Sequence, residues 1–178
     1  MTLVRNVRDF TKLSLLGVAV LVLSAGQSQA QNEPEMVSVH GNWTAYTVME
    51  DGKKVCYMVS RPQKDEGNYS KRGDIFALIT HRPSENTNNV FSYMTGYPYK
   101  SDSEVTLTID GEAFALFTYE ESAWAPDSKT DKRLSDAIQS GSTMIVKGVS
   151  SRGTNTTDTF SLKGSSAAHK AISDSCGI

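Results

Sequence analysis

The stretch VTLTIDGEAFALFT, from Val105 to Thr118, decides the architecture. Val105, Leu107 and Ile109 alternate with Thr106 and Thr108, the two-residue period of a strand with one face against a core. Asp110-Gly111 then supplies the positive φ angles of a tight hairpin turn, and Ala113 to Thr118 returns as the partner strand.

Upstream, the same grammar recurs. Trp43 to Val48 and Lys54 to Ser60, rich in Val, Thr, Tyr and Trp, flank Glu50-Asp51-Gly52-Lys53 and form a first hairpin that carries Cys56. Asp74 to Thr80 contains an unbroken apolar run from Ile75 to Ile79, which predicts a central strand covered on both faces. Val90 to Thr95 reads as a further strand stopped by Gly96-Tyr97-Pro98. Two polar segments are expected outside the core: an untethered arm from Gln31 to Met36, and a solvated loop over residues 61–73, whose charges read as plain surface.

Downstream, the period changes to about 3.6 between Thr130 and Gly141, where Leu134, Ala137 and Ile138 share a helical face and Gly141 suits the C-terminal cap. Ser142 to Val149 and Thr156 to Leu162 pair through a turn at Ser151-Arg152-Gly153-Thr154, a third hairpin. Ser165 to Ser173 places Ala168, Ala171 and Ile172 at helical spacing and delivers Cys176 to the body of the fold. Seven or so strands joined mostly by hairpins, with one or two short helices, predict an all-β domain of two packed antiparallel sheets, with a closed barrel as the alternative.

The first thirty residues carry a different signal. Arg5, Arg8 and Lys12 precede an uncharged run from Leu13 to Gly26, and Ser28-Gln29-Ala30 offers a signal peptidase its small residues. Residues 1–30 therefore read as a signal peptide and 31–178 as a single exported domain. The apolar run is shorter than the roughly twenty residues a spanning helix needs, so no transmembrane span is expected after cleavage. Loss of the leader changes the net charge from −2 to −4, leaving 15 basic and 19 acidic side chains. An acidic chain lacks the phosphate-neutralising surface that duplex nucleic acid demands, and nucleic acid is excluded as a partner. The two cysteines, Cys56 and Cys176, both lie in the exported part, where an even pair is expected to form one disulfide.

No GxSxG, SxxK, HExxH, GxxxxGK or dinucleotide fingerprint occurs, and neither cysteine has a CxxC partner or a neighbouring histidine. His40, His81 and His169 are too dispersed for a local ligand pattern, and each reads as a polar surface residue. No metal, cofactor or catalytic residue is expected. The densest polar constellation, Arg72, Asp74, His81 and Arg82, brackets the central strand and reads as ion pairs at strand ends. Trp124 before the helix and Arg152 in the last turn complete the candidate pocket or interaction residues: Arg72, His81, Arg82, Trp124 and Arg152.

At DIFALITHRP (Asp74 to Pro83), AWAPD (Ala123 to Asp127), GSTMIVKGVSSRGTNTTDTFSLKG (Gly141 to Gly164) and AAHKAI before Cys176, the sequence resembles the invasion-associated locus B family of exported alphaproteobacterial proteins. The resemblance covers nearly the whole exported region. It implies an immunoglobulin-like antiparallel β-sandwich, residence in the periplasm or outer envelope, and a link to host-cell invasion and virulence in pathogenic members; it implies no catalytic residue. The expected function is a non-enzymatic envelope protein whose partner is an envelope or host-cell protein, with peripheral membrane association as a further option and residues 61–73 and 82–89 as contact loops. Two competing readings are a periplasmic carrier or chaperone of apolar ligands, which needs an open apolar groove, and an enzyme that gathers His81, Arg82, Trp124 and Arg152 into one pocket.

Overall fold

The computed structural model describes residues 33–178, and the leader predicted at residues 1–30 lies outside the described residues. Eleven strands run in chain order: β1 (Glu35–His40), β2 (Trp43–Glu50), β3 (Lys53–Ser60), β4 (Lys64–Gly67), β5 (Phe76–Arg82), β6 (Thr87–Met94), β7 (Glu104–Ile109), β8 (Glu112–Tyr119), β9 (Ser122–Trp124), β10 (Thr143–Val149) and β11 (Asn155–Ser161). Helix α1 (Ser128–Ser140) lies between β9 and β10, and α2 (Ser165–Cys176) follows β11.

Every strand pairing is antiparallel, in the order β1-β2-β3-β5-β6-β9-β8-β7-β10-β11-β4. The three predicted hairpins form. Asp51 and Gly52 adopt φ of 49° and 75°, and Asp110 and Gly111 adopt 46° and 99°, the left-handed pair that a two-residue turn between twisted strands requires. The layers of the sandwich are two parts of one hydrogen-bonded sheet that bends back on itself. Tyr93 on β6 meets Phe160 on β11 edge to face, ring centroids 6.2 Å apart, although four strands separate β6 from β11 in the order. One apolar core fills the space between, built from fully buried Trp43, Met58, Ile79, Phe91, Leu107, Leu116, Met144 and Phe160.

The helices close the core where the sheet leaves it open. Asp127 caps α1 by accepting the Thr130 N–H at 2.7 Å, and α1 contributes buried Leu134 and Ile138. Asp131, in its first turn, accepts the Phe91 N–H of β6 at 2.9 Å. Helix α2 packs on β2 and β3, and its last residue, Cys176, is bonded to Cys56 on β3 with Cα atoms 6.0 Å apart and a sequence separation of 120. In the loop-entropy model a cross-link of this span stabilises by roughly 4–5 kcal/mol, reduced by any native strain.

Three expectations are corrected. The N-terminal arm is not untethered through Met36, because β1 begins at Glu35 and pairs with β2, with a bulge between Met36 and Ser38. Residues 61–73 are not wholly a loop: β4 forms there and pairs with β11 through backbone groups, which its polar side chains do not oppose. Strand β5 is central, between β3 and β6, but only one face is sealed. Ala77, Ile79 and His81 point into the core while Phe76, Leu78, Thr80 and Arg82 stay half-buried, so the continuous apolar run reflects an outer face that is itself apolar.

Candidate functional site

Arg72, in the segment expected to be solvated, is buried and bonded at every guanidinium nitrogen. Its Nη1 and Nη2 donate to Asp158 Oδ1 and Oδ2, each at 2.7 Å, and the two side chains are 4% and 1% exposed. Nε donates to the Thr95 carbonyl at 2.7 Å and Nη2 to Thr95 Oγ1 at 3.0 Å. The Tyr93 hydroxyl donates to Asp158 Oδ2. Burial alone would lower the Arg72 pKa, but the bidentate bond to Asp158 and its charge more than reverse this, and Arg72 stands above its ordinary value. Burial, and then the Asp158 charge, push the Tyr93 phenol upward, so it remains a donor. A buried guanidinium is tolerable only when its charge is paired and its nitrogens find acceptors, and here Nε, Nη1 and Nη2 each find at least one.

Arg72, anchored by this network, lines a cleft of about 460 Å³. Three connections wall it: residues 68–73 between β4 and β5, residues 96–98 after β6, and the turn between β10 and β11 at residues 150–154. The Arg72 guanidinium carbon lies 4.9 Å from the Tyr97 ring centroid and 5.5 Å from that of Tyr69, holding both rings by cation–π contact. Tyr97 Oη and Thr156 Oγ1 are 2.5 Å apart. Gly73 and Gly96 lie backbone to backbone, the Gly73 N–H donating to the Gly96 carbonyl at 2.9 Å; a Cβ on Gly96, whose φ is +73°, would stand 2.6 Å from the Gly73 carbonyl. Lys71 and Arg152 are exposed at the rim, and among the described residues neither has a carboxylate within 4.0 Å. No Asp or Glu among the described residues lines the cleft.

The five candidate residues thus separate. Arg72 and Arg152 share this cleft, but Asp158 pairs with Arg72 and not with Arg152 of its own hairpin. Arg82 and Trp124 line a second groove, of about 390 Å³, on the outer face of the sheet, where Arg82 pairs with Glu50 at 2.6 Å. His81 is on neither surface. It is fully buried under α2, its Nδ1 accepting the Asn89 N–H at 3.1 Å and its Nε2 3.1 Å from Ser173 Oγ. His169 stands edge-on to it, centroids 5.3 Å apart, with Nε2 2.7 Å from Asn89 Oδ1. The surface reading of His81 is therefore corrected. Burial, then the His169 charge, lower its pKa to about 4; burial also lowers that of His169. No group of three or more His, Cys, Asp or Glu side chains among the described residues is arranged to hold a metal. The pocket postulated from His81, Arg82, Trp124 and Arg152 does not assemble.

The model of the invasion associated locus B (IalB) protein family matches residues 43–173. The chain belongs to that family. No curated protein matches the chain. Among solved structures, the crystal structure of invasion associated protein b from Bartonella henselae superimposes with a TM-score of 0.54 at 16% sequence identity, covering 79% of this chain and 97% of that one. At that identity the likeness concerns the fold: the two IalB-type chains share the strand-rich architecture. It leaves the Arg72 cleft to be judged on its own geometry.

Proposed function

We propose that this IalB-family chain is an exported, non-enzymatic protein of the cell envelope that recognises another protein or an envelope component, and that in pathogenic relatives this recognition serves host-cell invasion. The observation that carries the reading is the cleft over Arg72. A floor held by a buried ion pair stands beneath two cations that have no carboxylate within 4.0 Å among the described residues, with several hydroxyls around them. A pre-organised concave surface of this kind favours binding, since little ordering entropy remains to be lost. The disulfide supports export, because such bonds persist in oxidising compartments. No helix among the described residues is long and apolar enough to cross a membrane. The carrier reading needs an apolar opening between the layers, where fully buried side chains of both layers, Ile79, Phe91, Leu107 and Phe160 among them, fill the space.

Recovery of partners from cross-linked envelopes tests the proposal. Lys71→Glu combined with Arg152→Glu should abolish capture of the partner obtained with the unaltered chain and leave the thermal midpoint unchanged. Equal recovery by both, or a gene deletion that leaves envelope integrity, adhesion and invasion intact, would overturn it.

A further inference from the structure

The cleft specifies more than a contact surface, and the class of its ligand is inferred on the reading that it is the recognition site. Its charge is opposite to that of the chain. The Arg72 charge is neutralised by Asp158, so Lys71 and Arg152 bring two positive charges, neither with a carboxylate within 4.0 Å among the described residues, to a cleft at whose margin one carboxylate, Asp65, accepts from the Tyr69 hydroxyl, in a protein whose net charge is −2. Lys71 and Arg152 both line this one space, and a guanidinium and an ammonium at its rim suit a compact anion, the guanidinium by its planar fork and the ammonium as a point charge. Two cations suffice for one carboxylate or phosphate, and they fall short of the row of phosphate contacts on which nucleic-acid binding depends.

The remaining lining is hydroxyl- and amide-rich. Asn68, Ser70, Ser151 and Thr154 stand around the cleft with Tyr69 and Tyr97. Such groups both donate and accept, which suits a ligand whose own groups do both. The two tyrosines each add an apolar ring body beside a polar tip, a surface for ligand C–H groups. The walls are fixed as well as polar. The Ser151 N–H donates to the Pro98 carbonyl at 2.8 Å, tying the last turn to the segment after β6, and the Ser150 N–H donates to the Thr154 carbonyl at 2.9 Å. A volume of about 460 Å³ lies within the range of small-molecule sites, roughly 300–1,000 Å³.

We infer that this cleft binds an acidic saccharide, one or two sugar units bearing a carboxylate or phosphate, with Lys71 and Arg152 on the anionic group and the hydroxyl-lined walls on the sugar. Arg72 acts here as a positioning residue. Its ion pair fixes Tyr69 and Tyr97, and its own charge is not offered to the ligand.

The test is titration of the full exported chain, followed by amide chemical shifts and calorimetry, with four probes: a galacturonic acid trimer, glucose 6-phosphate, uncharged maltotriose and a tetraglutamate peptide. One or both acidic sugars should bind, shifting residues 68–73, 96–98 and 150–156, and the stronger of the two identifies the anionic group. Maltotriose and tetraglutamate should each bind roughly tenfold or more weakly, the scale of one charge-assisted hydrogen bond. Lys71→Gln with Arg152→Gln should remove the preference for acidic over neutral sugar without moving the thermal midpoint. Tetraglutamate binding as tightly as the acidic sugars, equal binding of maltotriose, or no sugar binding would each overturn the inference. If sugars fail while the envelope capture still depends on Lys71 and Arg152, the saccharide assignment falls and the recognition site stands; if both fail, both fall.

Discussion

Arg72 and Asp158 are withdrawn from water as a charged pair, whereas His81 and His169, in an interior of the same sheet, are held neutral. In the first cluster both oxygens of Asp158 are met by guanidinium N–H groups and the Tyr93 hydroxyl, so attraction offsets the desolvation of two full charges. In the second, donors and acceptors match without any charge: Asn89 donates its backbone N–H to His81 and presents its side-chain oxygen to His169 and Ser135. Each cluster therefore has its own point of failure. A charged pair fails when one partner is removed; a neutral cluster fails when a proton is added.

The largest effect is expected from breaking the pair. Asp158→Ala leaves the Arg72 guanidinium buried and uncompensated, and should destabilise the chain by about 3–5 kcal/mol in urea denaturation. Replacing both partners, Arg72→Met with Asp158→Leu, should recover most of that loss, because no orphaned charge remains. If the double variant is as unstable as the single, the pair is not the source of the penalty.

Breaking the neutral cluster requires a different tool. Cys56 lies directly across the strand pair from His81, and Cys176 ends the helix that supplies His169 and Ser173, so the disulfide fastens the lid over the histidines. Cys176→Ser should cost about 2–4 kcal/mol. Hydrogen exchange should rise at Asn89, whose N–H is bonded to His81, more than at Thr95, whose N–H is bonded to the Glu121 carbonyl beside the charged pair, sharpening the distinction between the two regions.

Acid should separate the clusters without any substitution. The folded His81 pKa is depressed from 6.5 to about 4, so between those values the unfolded chain binds the extra proton. The associated stability is complete above the unfolded value and is lost as pH falls from about 6.5 toward 4, a loss of about 3 kcal/mol. The physical reason is that a proton on Nδ1 would face the Asn89 N–H. Denaturation midpoints at pH 7 and 4.5 give the slope, and His81→Asn should flatten it. An unchanged slope in that variant would remove His81 as its cause.

Much of the frame was legible because turns and caps are local. Asp51-Gly52 and Asp110-Gly111 announced their hairpins, and the change of period between Thr130 and Gly141 announced the helix, though not its start at Ser128 nor its cap at Asp127. Strands β4 and β9 were not legible: Lys64–Gly67 contributes backbone pairing with no apolar period, and Ser122–Trp124 is too short to show one. The buried clusters depend on partners 86 and 92 residues away, Arg72 with Asp158 and His81 with Ser173. A usable signal was nevertheless present in strand phase. Asp158 alternates with buried Thr156 and Phe160, and His81 with buried Ala77 and Ile79, so two polar side chains were already committed to the interior and required partners there.

The smallest expected effect calibrates the comparison at the surface. Arg82 and Glu50 make a contact of 2.6 Å, as short as any in the buried pair, but their side chains are 33% and 47% exposed. Water already solvates both ions, so removing one leaves no stranded charge, and forming the pair also costs side-chain entropy. Glu50→Ala should therefore cost under about 1 kcal/mol and lose most of even that in about 0.5 M salt. Asp158→Ala should respond little to the same salt, since its partner is sealed from counterions. Similar salt sensitivity for the two variants would mean that enclosure, and not contact distance, had been misjudged as the quantity that sets the strength of these pairs.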